Sequence, residues 1–200
     1  MKTTYRIATV LCLCLSLCFI LFTSSVVKAD GIDFQQSHFT VKAGVIGSGP
    51  VDLRDFHTVN ETAVSLGACF DYPIGSSFFF DFGVDFYRMN WVSRWELRGQ
   101  NSRATMAEIN VGLKQLMLLS GSGLALRPGL SLGFGSLGEM NEIKGSSYLT
   151  GRISIEALVA VSKKLGLAAE AAMWSSLSGS DNDQDISLGP EAVLRLGLVF

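Results

Sequence analysis

Eight segments of this sequence alternate apolar and non-apolar residues with a period of two, and that period governs what the chain can fold into. In the last of them, Phe200, Leu198, Leu196, Leu194, Ala192, Pro190, Leu188 and Ile186 share one parity, against Val199, Gly197, Arg195, Val193, Glu191, Gly189 and Ser187 on the other. A strand sends successive side chains to opposite faces, so a period of two means β-structure. The same test succeeds upstream with Phe39 to Val45, Val64 to Tyr72, Phe78 to Phe86, Ala107 to Leu113, Leu124 to Phe134, Ile153 to Val161 and Leu167 to Met173 as the apolar parities. No helix signature, long repeat or second domain interrupts them.

The links between segments alternate in length. Tight, turn-rich ones at 72–77, 120–123 and 162–166 separate longer polar ones at 48–61, 93–103, 139–147 and 177–185. That is the rhythm of hairpins whose two ends face different surroundings. Pro128 and Pro190 each remove a ladder donor, so a bulge or strand end is expected at both.

Alternation also occurs in soluble sheets, so the composition of the two faces must decide which one is outside. A soluble lipocalin-like barrel wets its outer face with Lys, Glu and Thr. Here the non-apolar parity is mostly Gly, Ser and Ala, punctuated by single charges. Such a face suits a narrow lumen, where large side chains from every strand would collide. The opposite parity, a belt of Leu, Phe, Val and Ile uncharged in mid-strand, then meets lipid. There the sheet must close, because every backbone polar group needs a partner.

The front of the chain differs. Residues 1–29 carry a basic start at Lys2 and Arg6, an apolar run from Ile7 to Phe22 and a small-residue exit at Val27 and Ala29. They are expected to be a cleavable signal peptide, since the run is short of the roughly 20 residues of a spanning helix. Residues 30–200 would form the mature domain. Losing Lys2, Arg6 and Lys28 from 16 basic residues, against 18 acidic ones, leaves a formal net charge of −5, which argues against nucleic acid as a partner. Cys12, Cys14 and Cys18 lie in the leader, so Cys69 remains alone and no internal disulfide is expected. Cys69 reads as a small lumen filler.

Taken together, the expected fold class is all-β: an eight-stranded antiparallel up-and-down transmembrane β-barrel. Tyr72 and Phe200 stand where an inner-side aromatic girdle belongs, and Trp91, Trp95, Tyr148 and Trp174 near an outer one. Over about residues 36–200 the chain resembles the small eight-stranded outer-membrane barrels of Gram-negative bacteria, the OmpA/OmpX-like group. Its terminal LRLGLVF resembles that group's assembly signal. The resemblance implies that Leu194, Leu196, Leu198 and Phe200 are read by the barrel assembly machinery. It also implies an outer-membrane location among lipid and lipopolysaccharide, as a monomer.

The inward parity collects Lys42, Asp81, Asp85, Glu108, Lys114, Arg127, Arg152, Glu156, Glu170, Glu191 and Arg195. Unpaired charges are very costly in a low-dielectric interior, so a salt-bridge network filling the lumen is expected. A narrow ion path along those charges is the alternative. A lipid-modifying enzyme is a third reading and a soluble secreted binder a fourth.

Catalysis finds little support. Acyl transfer needs a Ser with a His able to take its proton. His38 lies at a strand start beside Ser37, and His57 lies in the first long link with Asp52 and Asp55 near in sequence. Neither fits a known acyltransferase or deacylase barrel pattern, so no catalytic residue is assigned. Asp181, Asp183 and Asp185 lack the Gly and Glu of a calcium loop, so no metal or cofactor is expected. Asn60-Glu61-Thr62 is an accidental sequon. The outer links are expected to contact host, partner or environment, with a ligand that no motif identifies.

Overall fold

A computed structural model of the protein describes residues 31–47, 50–53, 56–93, 101–119, 123–138, 146–181 and 184–200. The leader falls outside these residues. The alternating segments form β1 (His38–Gly47), β2 (Pro50–Leu53), β3 (Phe56–Pro73), β4 (Phe78–Ser93), β5 (Asn101–Gln115), β6 (Met117–Leu119), β7 (Leu124–Leu137), β8 (Ser146–Ser162), β9 (Leu165–Asp181), β10 (Gln184–Leu188) and β11 (Glu191–Val199). β1 and β2 form one stave, because both pair with β3 and they face β11 and β10 in turn. β5 with β6 and β10 with β11 are likewise single nicked staves. The result is an eight-stave, antiparallel, up-and-down barrel closed by β1 against β11.

The staves are staggered. A walk across the ladder from His38 passes Asp71, Asp81, Gly112, Ser131, Arg152, Trp174 and Glu191. It ends beside Ala192, which faces Gly47 at the far end of β1. That climb is the tilt a sheet needs to close on itself.

The two parities divide as the residue types require. Phe39, Val41, Leu66, Phe70, Phe80, Phe82, Phe86, Ile109, Val111, Leu113, Leu130, Leu132, Phe134, Ile153, Ile155, Met173, Leu196 and Leu198 are exposed on the outer face. Leu194, on the same outward parity, is half-buried. Inside, glycine thins one wall. A Cβ on Gly67 would meet the Asp85 carboxylate and lie 2.7 Å from Arg195 Nη1, and one on Gly83 would lie 2.6 Å from Asn110 Oδ1. Those positions are small because charged heads occupy the space beside them.

Pro190 lies at a strand end as expected, whereas Pro128 lies within β7, opposite Ile155 and without a bulge, and meets a gap only on its other side. β5 pairs with β7 only as far as Lys114 opposite Gly129, and pairing resumes in the same register at Met117 opposite Leu126, so the gap faces Pro128. Pro190 lies in the nick between β10 and β11. The phase of the last stave slips there. Leu188, outward by periodicity, is fully buried inside the barrel, and its backbone N–H donates to Ser176 Oγ at 2.7 Å in place of a ladder carbonyl.

The staves outrun the alternating segments at the long-link end. β2 pairs with the start of β3, and Gln184 and Asp185 pair with Asp181 and Ser180. The alternation places those stretches in the links at 48–61 and 177–185. Ladder hydrogen bonds need no apolar face, so pairing continues past the point where the hydrophobic signal stops.

Two aromatic assignments are corrected. Tyr148 and Trp174, expected in an outer girdle, are buried in the lumen, with ring centroids 6.3 Å apart and edge to face. Tyr72 and Phe200 are exposed at the short-turn end, as a girdle requires. The side chain of Trp91 and all of Trp95 lie outside the described residues.

Closure depends on close approach at β1 and β11. A Cβ on Gly44 would meet the Leu194 carbonyl oxygen and lie 2.6 Å from the Arg195 Cα, both backbone atoms that cannot step aside. Gly44→Val should therefore destabilise the barrel by about 3 kcal/mol, the upper end of overpacking costs. The expected readout is loss of the compact, heat-modifiable band on gels of the detergent-solubilised protein, with Ala43→Val as the outward control that keeps it.

Candidate functional site

The lumen is the only place in the described structure where chemistry-bearing side chains converge. All eleven residues of the expected charge set are buried there, none more than 6% exposed. Asp71 and His38 join them at the short-turn end, at 0% and 3% exposure. The described interior thus holds five Lys and Arg against seven carboxylates.

The charges form one connected network. At its lower end Arg127 Nη1 donates to Asp71 Oδ2 at 3.0 Å, and its Nη2 lies 2.8 Å from Glu156 Oε2. Lys114 Nζ reaches Asp71 Oδ1 at 3.0 Å and Asp81 Oδ1 at 2.8 Å. Lys42 pairs with Glu156 and, at 3.0 Å, with Glu170 Oε2. Arg195 grips Glu170 through Nε and Nη2 at 3.0 and 2.9 Å and pairs with Asp85. Two parallel N–H bonds to one carboxylate are the geometry that makes Arg the favoured partner for a buried acid.

Asp85 continues the chain. Its Oδ2 accepts from Arg152 Nη2 at 2.6 Å and from Asn110 Nδ2 at 2.7 Å. Arg152 also bonds the Tyr87 hydroxyl and lies 3.3 Å from Glu108 Oε1. The Glu108 Oε2 accepts from Trp174 Nε1 at 2.8 Å, which gives the buried indole its partner. Glu191 is buried at the register position opposite Trp174.

Apolar packing closes both ends. Near the long links lie Ile46, Ala63, Tyr87, Met106, Leu137, Tyr148, Ala172, Trp174, Leu188 and Val193. Near the short turns lie Phe79, Leu116, Ala125, Leu158, Ala168 and Val199, with Phe34 from the segment before β1 among them. The network is held between two greasy layers. Low dielectric strengthens each pair and makes each missing partner expensive.

Cys69, Asp71 and Asp81 place their ligand atoms within 4.8 Å of one another, a spacing that would hold a metal ion. Lys114 already stands there, with Nζ 3.7 Å from Cys69 Sγ and bonded to both carboxylates. The donor set therefore carries its own cation, and the residues do not fit a resident metal. Nor do the described side chains assemble a hydrolytic pair. His38 Nδ1 donates to the Gln36 carbonyl at 2.7 Å and Nε2 meets Arg127, so the ring is fixed inside while Ser37 is exposed. The side chains of His57, Asp52 and Asp55 and of Asp181, Asp183 and Asp185 lie outside the described residues.

Sequence reasoning omitted Asp71 and His38 from the network. Both lie on inward parities, and Asp71 directly faces both His38 and Asp81 in the ladder. His38 is weighed there only as a partner for Ser37, and Asp71 is left out of the charge set although it shares the parity of Cys69. The signal that could have found them is parity carried to the last ladder residue.

No protein-family model matches this chain, and no curated protein matches it in sequence. Solved structures do match in fold. Neisserial surface protein A, NspA, is similar with a TM-score of 0.57 and 12% identity, over 82% of this chain and 95% of that one. The outer membrane protein OprG from Pseudomonas aeruginosa is similar with a TM-score of 0.53 and 11% identity, over 86% of this chain and 99% of that one. Closed ladder, stagger, charged interior and these likenesses together give the chain the fold of the small eight-stranded outer-membrane β-barrels.

Proposed function

We propose that the protein is an integral outer-membrane barrel of structural and surface-interaction type. Its wall anchors it in lipid and its charged lumen is a plug rather than a passage or an active site. The observation that carries this reading is the inversion of polarity. Large apolar side chains cover the outside from Leu66 to Leu198, while Lys42, Asp85, Arg127, Glu156 and Arg195 are buried. A water-soluble domain does not expose so continuous an apolar surface. Lipid and lipopolysaccharide are the surroundings that fit it. The names of both similar structures, one a surface protein and the other an outer membrane protein, support the same location.

In this reading the outward Leu194, Leu196, Leu198 and Phe200 serve assembly, and the long-link end presents the surface that meets partners. The plug is supported by the two apolar layers, which among the described residues cover the charges toward both ends. A catalytic reading lacks a nucleophile with a base among the described side chains.

Leu132→Arg places a charge mid-stave on the outer face and should cost roughly 2–4 kcal/mol in a bilayer. The expected result is loss of folded protein in the outer-membrane fraction, whereas a chain that stays monodisperse without detergent would overturn the membrane reading. Glu156→Gln leaves Lys42 and Arg127 short of a buried partner and should destabilise the barrel by about 3–5 kcal/mol in denaturant titrations of the folded protein. In planar bilayers the wild type should show no steady conductance. Steady channels whose size changes in Arg127→Ala would replace the plug with a narrow pore.

A further inference from the structure

The two layers that close the lumen are built differently. Every described side chain of the long-link layer is carried on a stave: Ile46, Ala63, Tyr87, Met106, Leu137, Tyr148, Ala172, Trp174, Leu188 and Val193 all sit in hydrogen-bonded strands. None of those described residues belongs to a segment outside the wall. The short-turn layer has Phe34 among its members, and Phe34 belongs to a non-strand segment, residues 31–37.

That segment folds back under the mouth. Asp33 organises it into a turn, its Oδ1 accepting from Gln35 N at 3.0 Å and its carbonyl from Gln36 N at 3.2 Å. Phe34 is 5% exposed and meets the His38 ring edge to face at 6.4 Å. Phe34 and Ile32 pack over Gly166, where an added Cβ would lie 3.0 Å from the Phe34 ring. One backbone bond ties the segment to the end of β8, from Ile32 N to Ser162 O at 2.7 Å. The wall itself is complete without it, since β1 begins its pairing at His38 opposite Asp71.

We infer that residues 31–37 are a detachable cork, and that withdrawal of Phe34 is the step by which water and small solutes enter the lumen from the short-turn end. The cork is coupled to the network above it. The Gln36 carbonyl accepts from His38 Nδ1, and the other ring nitrogen, Nε2, meets Arg127 and, at 3.2 Å, Asp71. Pulling the segment away therefore frees the ring that touches the lowest ion pairs. The local free energy of opening is set by a few contacts and one tie, well below that of unfolding the barrel.

Cys69 is a built-in reporter, because it is a buried free thiol beside Lys114 in the lower lumen. The full chain, folded in detergent micelles and checked by heat-modifiable migration, is treated with methyl methanethiosulfonate, and modification is read at Cys69 by peptide mass. Wild type should react slowly, and Phe34→Ala about tenfold faster or more. Ile32→Pro, which removes the tie to Ser162 without touching the wall, should also speed reaction and serves if Phe34→Ala does not fold. Met106→Ala, in the opposite layer, should leave the rate near wild type. A folded variant of the cork that reacts no faster than wild type, or a Met106→Ala rate equal to that of the cork variants, would overturn the inference. The readout concerns the folded barrel in micelles, so it stands apart from the membrane location and the conductance tested above.

Discussion

The pairing of β1 with β11 turns a sheet into a vessel, and the interior follows from that closure. An open sheet would leave two edges of unpaired N–H and C=O groups and let its polar face reach water. Once Thr40 faces Val199 and Gly47 faces Ala192, there is no edge, and the inward side chains have only one another for solvent. Eight staves enclose a space that side chains can fill. The charges must then pair within reach of their own stems, and the glycines must fall where the heads land. Gly44 permits the closing contact itself, while Gly67 and Gly83 accommodate Arg195, Asp85 and Asn110.

Much of this was legible in the alternation, because a closed barrel repeats one simple rule along every stave. Parity placed Lys42, Arg127, Glu156 and Arg195 inside and Leu66, Val111 and Leu196 outside, and the structure has them there. What parity could not supply is the phase of the last stave, and two residues that parity does place inward are assigned by residue type instead. Tyr148 and Trp174 are aromatic residues near the long-link end, and aromatic residues at such heights often mark an interface. They lie inside because each shares the parity of a charged neighbour on its own stave, Arg152 for Tyr148 and Glu170 for Trp174, and Glu108 gives the indole its acceptor. Leu188 escaped for the opposite reason. Its apolar character agreed with the outward parity, and nothing local announced that the nick at Gly189 and Pro190 would turn it inward.

The partner of each charge was also beyond a linear reading. Register fixes which residues stand beside one another on neighbouring staves, but most of the ion pairs here cross the lumen. Lys42 on β1 meets Glu156 on β8, Arg195 on β11 meets Asp85 on β4, and Arg127 on β7 meets Asp71 on β3. Such contacts depend on barrel diameter and side-chain reach, which no period in the sequence encodes. The cork is harder still to foresee, since Phe34 sits in a short polar stretch with no periodicity.

Those crossing pairs bear on how the barrel forms. A single hairpin, such as β3 with β4 or β8 with β9, contains neither partner set complete. Asp85 finds Arg152 and Arg195 only when β8 and β11 have come round to it, and Glu108 finds Trp174 only across the finished lumen. Partial assemblies hold only the pairs between neighbouring staves, such as Lys114 with Asp81, Arg127 with Glu156 and Arg195 with Glu170, and the pairs that cross the lumen form at closure. The lumen-crossing pairs thus act as a latch on completed closure, while the neighbour-stave pairs can already form in the hairpins that precede it.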